Sequence, residues 1–448
     1  MGKELIVSVS GIRGIVGEGL TPDAALRFAQ ALGTSVEGGN MVLARDSRPS
    51  GEVLRHAVLA GLLAVGSKVW DLGIAPTPTV GLAVQKLRAA GGIQISASHN
   101  PAPWNGLKLF GADGSVLSAA RGQAIKELFD AGSFRVAAWN QLGASVPCED
   151  AEAWHRQRVM EQVDVERIRA RRLRVLLDAN GGAGGPPGVS LLHALGAHVT
   201  PLGAVPDGSF AHPPEPLAEN LTSVLAEVPR AAADVGFVLD PDSDRLAILD
   251  ERGRYIGEEL TLALAVQCRL RRDKGPLVLN MSSSRVVEDL ARQFGVPCHR
   301  SAVGEANVVE KMRSVGALLG GEGNGGVIDP RVGWVRDPFI GMALVLQLLA
   351  ETGMRLSDLV AELPHYVIVK DKYEVNRSRL PAVNAVLEER YANACINRLD
   401  GVRVDWPDRW VHVRPSNTEP IVRVIAEAPT RAEAETLCKE IGGLLTES

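Results

Sequence analysis

Aromatic side chains are scarce in this 448-residue chain, where phenylalanine, tryptophan and tyrosine together make up 4%. A surface that stacks unpaired bases needs aromatic platforms, so binding of single-stranded nucleic acid is not expected. Positive charge is not in excess either. The formal net charge of −5 denies the chain the basic field expected of a nucleic-acid or membrane-surface protein. Cysteine is sparse and scattered: Cys148, Cys268, Cys298, Cys395 and Cys438 are odd in number and contain no CxxC. That pattern fits neither a disulfide framework nor a zinc site and suits a reducing cytoplasm. The apolar runs are short or broken by charge, so no segment is expected to span a membrane. The first residues, MGKELIVSVSGIRG, lack the apolar core of a secretion signal. GxSxG and HExxH are absent, which leaves serine-hydrolase and zincin chemistry without support.

What is present reads as a soluble α/β protein. Hydrophobic residues at 46% and charged residues at 23% are ordinary globular values, and the chain is too long for one core. Strand-like runs such as MVLARD, KVWDLG, LRVLLDAN and VGFVLD alternate with helical patterns at 51–66, in TPTVGLAVQKL and in EELTLALAVQCRLRR. Alternation at these lengths implies α/β layers. Boundaries are placed to give units 1–150, 151–253, 254–365 and 366–448, the last smaller and α+β. A helical, charged stretch at 118–170 is expected to contain a loop at Gly143–Pro147, and four prolines make 206–216 a loop. No exact internal repeat is visible, although each of the first three units places one unusual loop after a strand.

The first of these loops is in GIQISASHNPAPWNGLK, residues 92–108. A β-rich run delivers Ser98 into a turn with His99, Asn100 and Pro101, and Lys108 follows on the next strand. A hydroxyl held on a rigid turn among polar and cationic groups is what phosphoryl transfer needs, because positioning and charge neutralisation carry that reaction. A polar turn between two strands would use the same residues. The second loop, Asp240-Pro241-Asp242-Ser243-Asp244-Arg245, brings three carboxylates at spacing two to one side of a turn. This suits a hard divalent cation, most simply Mg²⁺. A calcium EF-hand competes, with Glu251 at the twelfth position, but Arg245 stands where glycine is needed and strands flank the loop.

The third is Gly320-Gly321-Glu322-Gly323-Asn324-Gly325-Gly326. It contains a formal GxGxxG, yet VIDP follows instead of a helix start, so a dinucleotide fingerprint is a poor reading. A loop presenting Glu322 and Asn324 to sugar hydroxyls fits better, and a plain connector is the alternative. The fourth is Arg414-Pro415-Ser416-Asn417-Thr418-Glu419-Pro420, with Arg423 on the following strand. Two arginines, two hydroxyls and an amide form an anion pocket, since the guanidinium presents a planar fork to phosphate oxygens. A hairpin with incidental charge is the alternative. Nearer the start, Ser10-Gly11-Ile12-Arg13-Gly14 offers a glycine-flanked arginine able to reach a phosphate, and RDSRPS (45–50) reads as a helix cap formed by Ser50.

Together, and in this order, the four loops resemble the α-D-phosphohexomutase superfamily over essentially the full chain, on its archaeal-type phosphoglucosamine mutase branch. SASHNP, the aspartate loop with Arg245, and RPSNTEP carry the resemblance, supported by SGIRGIVGEGLTP, PEPLAENL, VGEANVVEKM and GGEGNGGVIDP. It implies four domains around a central cleft, three of them similar mixed-sheet α/β domains and the last a smaller α+β domain. It implies that Ser98 is a phosphoserine and that Asp240, Asp242 and Asp244, with Ser98, hold Mg²⁺. Residues 321–326 would read the sugar and 414–423 would clamp the distal phosphate. A hexose 1,6-bisphosphate would serve as activator and intermediate.

The implied reaction interconverts hexose 6- and 1-phosphates, with glucosamine phosphate preferred and mannose or glucose phosphate as alternatives. A silent sugar-phosphate binder and a metal-dependent phosphatase are the readings from other classes. Monomer or homodimer is expected. Two departures stand out. Most members carry Ser and His where this chain has Asn324 and Gly326, and a Lys often found in the third domain is missing from LVLNMSSS. The general acid/base is therefore sought among Lys108, Arg13 and His99. For Lys108 that role requires a lowered pKa, expected from surrounding cations.

Overall fold

Four β-sheets organise the chain in the computed structural model, which describes residues 5–8, 11–374, 380–415 and 421–446. The first contains β1 (Ile6–Ser8), β2 (Gly11–Ile15), β3 (Met41–Arg45), β4 (Val69–Ile74), β5 (Gly91–Ile95), β6 (Trp104–Gly111) and β7 (Ser145–Pro147), in spatial order β1-β2-β6-β5-β3-β4-β7. Strands β3, β4, β5 and β7 are parallel to their neighbours in that group, whereas β6, β2 and β1 continue the sheet antiparallel. Alternate residues of β3 explain the layers. Met41 and Leu43 enter a core with helices Pro22–Ser35 and Ser50–Ala64, while Val42 and Ala44 face helix Thr77–Lys86 on the other side.

The second sheet is β8 (Arg174–Asp178), β9 (His198–Leu202), β10 (Val235–Leu239) and β11 (Leu246–Asp250), ordered β11-β10-β8-β9. The third is β12 (Leu277–Asn280), β13 (Cys298–Ser301), β14 (Leu319–Glu322) and β15 (Gly326–Ile328), ordered β13-β12-β14-β15. One apolar cluster runs from Val159 to Leu363 and joins these two sheets through helices Glu258–Leu270 and Pro338–Thr352. The second helix, PFIGMALVLQLLAET, is buried at every position from Pro338 to Ala350, as expected of a helix apolar on all sides. The fourth sheet is antiparallel: β16 (Val367–Tyr373), β17 (Cys395–Asn397), β18 (Val402–Asp405), β19 (Trp410–Pro415) and β20 (Val422–Ala428), ordered β16-β20-β19-β18-β17. Among the described residues no helix is long and apolar enough to cross a membrane.

Three expectations change. The loop foreseen at Gly143–Pro147 contains β7, which pairs with β4 at the sheet edge; three residues are too few for alternation to mark a strand. The glycine-rich stretch 320–326 is a tight hairpin of β14 and β15, with Glu322 opposite Gly326. Ser50 is not a cap. Pro49 already has helical angles, and the Ser50 hydroxyl accepts a hydrogen bond from Asn105 at 3.0 Å. The residues before that helix are occupied elsewhere, as described below.

A topological repeat, absent from the sequence, links the first three sheets. In each, a parallel strand ends in a loop that returns as an antiparallel neighbour: β5 to β6, β10 to β11, and β14 to β15. Ligands of open α/β sheets gather outside the carboxyl ends of parallel strands. Ser98, Asp240–Asp244 and Glu322–Gly326 all lie at such ends.

Candidate active site

Ser98 leaves β5 in the left-handed region, with φ 51°. A non-glycine residue holds that conformation only where its surroundings enforce it. The enforcement is a buried chain of polar groups. The Ser98 amide donates to Ser96 Oγ at 2.8 Å, and Ser96 Oγ donates to Asp46 Oδ2 at 2.6 Å. Asp46 is ion-paired with Arg48, and Arg48 Nη2 donates to the carbonyls of Ser98 at 2.7 Å and Asn100 at 2.6 Å. Asp46 and Arg48 are both fully buried. These two residues were missed in the sequence, where RDSRPS read as a cap. Its position directly after β3, at another carboxyl strand end, was the usable signal.

The Ser98 hydroxyl donates to Asp240 Oδ2 at 2.9 Å, joining the first sheet to the second. The aspartate loop turns through Ser243, also left-handed at φ 53°, and folds back so that the Asp244 and Arg245 amides donate to Asp240 Oδ1 at 2.9 and 3.0 Å. Asp242 Oδ2 accepts from Thr77 Oγ1 and Lys108 Nζ. Asp244 Oδ2 accepts from Lys108 Nζ at 2.7 Å and Arg336 Nη2 at 2.6 Å. Asp242 Oδ1 and Asp244 Oδ1 are buried and receive no hydrogen bond. One oxygen from each aspartate falls within 4.8 Å of the others. Buried carboxylate oxygens without donors, converging at this spacing, fit a hard divalent cation bound through oxygen. Burial, followed by Asp244 and Asp242, raises the Asp240 carboxyl well above the usual range. Burial also opposes ionisation of Asp244, but Arg336 and Lys108 outweigh it and hold that group low.

The cations arrive through strand register. Gly11 of β2 lies opposite Lys108 of β6, and Arg13 lies opposite Gly106, so each long side chain faces a glycine and both share one face. A Cβ at Gly11 would stand 1.8 Å from the Leu107 carbonyl oxygen, and its φ of +135° also requires glycine. Arg13 Nη1 donates to Asn100 Oδ1 at 2.9 Å. The expected lowering of the Lys108 pKa is reversed. Burial lowers it, but Asp242 and Asp244 prevail and the net shift is upward. Lys108 meets carboxylates before it meets cations. Arg13 is lowered, first by burial. His99 places Nδ1 at 3.4 Å from Ser98 Oγ and Nε2 at 3.7 Å from Glu215. Burial, with Arg245 and Arg13, pushes its pKa down to about 2, so it is a neutral imidazole. Arg245 faces the same Glu215 at 3.5 Å.

Glu322, at the end of β14, is buried and highly engaged. Oε1 accepts from Asn280 Nδ2 at 2.9 Å and the Gly304 amide at 3.1 Å, and Oε2 accepts from Arg336 Nη1 at 3.1 Å. Asn280 stands in LVLNMSSS and Arg336 precedes helix Pro338–Thr352; neither was singled out in the sequence. Asn324 sits in the hairpin turn, its Oδ1 buried without a donor. In the fourth sheet, Arg414 and Arg423 are direct cross-strand partners. Arg414 Nε donates to Asp400 Oδ2 at 3.0 Å, and the same oxygen accepts the Val303 amide at 2.9 Å, tying the fourth sheet to the third. Ser416, Asn417 and Thr418 lie outside the described residues.

Residues 5–136 match the phosphoglucomutase/phosphomannomutase alpha/beta/alpha domain I, residues 154–253 domain II, residues 257–366 domain III, and residues 366–443 the C-terminal domain of the same family. The chain is 37% identical over 445 residues to a probable phosphoglucosamine mutase of Methanopyrus kandleri, covering 98% of this chain and 97% of that protein. It is 38% identical over 442 residues to a phosphoglucomutase/phosphomannomutase of Thermococcus kodakarensis, covering 97% and 96%. A crystal structure of a phosphoglucomutase/phosphomannomutase family protein from Burkholderia thailandensis superposes with a TM-score of 0.88 at 27% identity, covering 99% of this chain and 97% of that one.

Proposed function

The chain belongs to the α-D-phosphohexomutase (phosphoglucomutase/phosphomannomutase) family, isomerases that move a phosphoryl group within a hexose phosphate, and we propose that it interconverts glucosamine 6-phosphate and glucosamine 1-phosphate through a phosphorylated Ser98. The observation that carries this reading is the contact of the Ser98 hydroxyl with Asp240 inside a loop whose other two aspartates each keep a buried oxygen without a donor. The relatives named as probable phosphoglucosamine mutases support the choice of sugar.

Asp240, Asp242, Asp244 and the Ser98 oxygen would hold Mg²⁺, which supplies Lewis-acid stabilisation of charge on a transferring phosphoryl group. The chain's own residues do the remaining work. The P–O bond to Ser98 breaks as a sugar hydroxyl oxygen bonds to phosphorus, the hydroxyl proton passes to a base, and Ser98 Oγ is released. The resulting hexose 1,6-bisphosphate turns over, and its other phosphoryl group returns to Ser98 by the reverse chemistry. Arg13, Arg245 and Lys108 offset charge on the phosphoryl oxygens. Neutral His99, with its low basicity, serves as a hydrogen-bonding neighbour of Ser98. Lys108 keeps its proton while Asp242 and Asp244 beside it are unneutralised, and becomes a candidate base once they are compensated. Glu322 and Asn324 read the sugar. Arg414 and Arg423, with Ser416, Asn417 and Thr418, clamp the distal phosphate.

Phosphorus NMR tests this directly. The purified protein, with Mg²⁺ and a trace of hexose bisphosphate, is offered the 6-phosphates of glucosamine, mannose and glucose separately. Fastest conversion of glucosamine 6-phosphate is expected. Preference for mannose or glucose would move the enzyme to the activity named for the Thermococcus kodakarensis relative. Release of inorganic phosphate without any 1-phosphate would overturn the mutase reading.

A further inference from the structure

Arg336 occupies a position that neither the metal loop nor the sugar hairpin explains alone. Its side chain is buried and forks between two carboxylates: Nη2 donates to Asp244 Oδ2 at 2.6 Å and Nη1 donates to Glu322 Oε2 at 3.1 Å. A third carboxylate fixes its base, since Glu305 accepts the Arg336 amide at 2.8 Å and lies 3.3 Å from Nε. Space for the fork comes from a missing side chain. A Cβ at Gly326 would fall 2.3 Å from Arg336 Cδ, so any residue but glycine there would displace the arginine. The adjacent Asp337 caps helix Pro338–Thr352 through the Phe339 amide and pairs with His155, which anchors the segment in the core.

From this geometry we propose, resting on the mutase reading above, that Arg336 is a positioning residue that couples the sugar-reading carboxylate Glu322 to the metal loop at Asp244. With Lys108 it occupies Oδ2 of Asp244, which leaves Oδ1, buried and without a donor, free for the cation. By occupying Oε2 of Glu322 it sets the angle from which that carboxylate meets a sugar hydroxyl or amine. A guanidinium can serve both at once because its donors are fixed in a plane, whereas an ammonium is a single point of charge. Outer partners of metal ligands commonly change metal affinity by about 10–100-fold when lost. Any effect of sugar on metal binding implies an equal effect of metal on sugar binding.

Arg336→Lys keeps the charge and removes the fork; Gly326→Ala keeps every charge and displaces the arginine. Calorimetric titration of each full-length protein with Mg²⁺, with and without glucosamine 6-phosphate, reads the coupling without turnover, and circular dichroism confirms folding. The wild type is expected to bind Mg²⁺ more tightly with the sugar phosphate present; both variants are expected to bind Mg²⁺ about 10–100-fold more weakly and to lose most of that enhancement. KM for the 6-phosphate should rise in parallel. A lower melting temperature with unchanged Mg²⁺ affinity and unchanged coupling in the folded variants would make Arg336 merely structural and overturn the proposal. A shift in KM alone would overturn it as well. If the wild type converts no hexose phosphate, the mutase reading falls, and the titrations still decide whether Arg336 orients Asp244.

Discussion

Replacing Arg48 by methionine separates the scaffold of the Ser98 loop from its chemistry. The guanidinium is fully buried, pairs with the fully buried Asp46, and donates to the Ser98 and Asn100 carbonyls. Removing it leaves the buried Asp46 carboxylate without its counter-charge and takes a donor from two carbonyls. Breaking a buried ion pair by deleting one member costs about 3–5 kcal/mol, because the other charge remains uncompensated. For the unit built on the first sheet, that corresponds to a loss on the order of 10 °C in melting temperature.

The cost should depend on pH. Burial already raises the Asp46 pKa above its ordinary value, and Arg48 is the main force opposing that rise. Without Arg48 the folded pKa climbs further. The native state then binds a proton that the unfolded state releases, so stability falls as pH rises through the folded value. Arg48→Met should therefore be destabilised less at about pH 5 than at about pH 8. Pairing it with Asp46→Asn removes the stranded charge and should recover much of the stability, but not the loop. A Ser98 displaced by roughly 1 Å should lose about 100-fold in kcat in both the single and the double variant. Thermal melts at the two pH values and phosphorus NMR of turnover provide the assay. Unchanged melting and unchanged turnover in Arg48→Met would refute the scaffold role.

Ser98→Ala should abolish conversion of the 6-phosphate while leaving its binding within a few-fold, read by NMR and calorimetry; normal turnover would remove Ser98 from the reaction. Chelation of divalent cations should stop conversion, and added Mg²⁺ should restore it and raise the melting temperature. Saturation at 100 times the dissociation constant contributes about 2.7 kcal/mol. Arg423→Ala should raise KM several-fold or more, and an unchanged KM would take it out of the phosphate clamp. Asp337→Ala removes a helix cap worth about 1 kcal/mol and one of the two side-chain partners of buried His155, the other being Thr79. A melt within error of wild type would contradict both contacts.

Ser98, Lys108 and the three aspartates were legible in the sequence because each group is compressed into a few residues after a strand, where spacing alone shows what converges. Arg48 and Asp46 were visible but misread. A charged cluster before a helix satisfies the usual capping pattern, and only burial reveals that the charges face inward. Arg336 left no local signal. It is 92 positions from Asp244 and 14 from Glu322, so its role exists only in the packed chain. The direction of the Lys108 shift failed for a related reason. The sequence places cations around the site but does not say which neighbours lie nearest, and Asp242 and Asp244 do. The apolar continuity of the second and third sheets was equally hidden, since Leu177 and Leu279 share a core through helices that alternation assigns to one side.

The hairpin-like returns of the first three sheets place opposite charges on different pieces of chain, and this gives assembly an order. The acidic turn between β10 and β11 repels itself when alone. Arg13 and Lys108, two of its counter-charges, are synthesised before it, Arg245 is made with it, and Arg336 emerges long after. A growing chain therefore acquires the acidic turn with part of its counter-charge already available and completes its neutralisation only when the segment before helix Pro338–Thr352 has docked. Until then, Ser98 faces an acidic turn whose charge is only partly offset. The same ion pairs that tune the finished site thus tie its charge balance to the docking of the segment that bears Arg336.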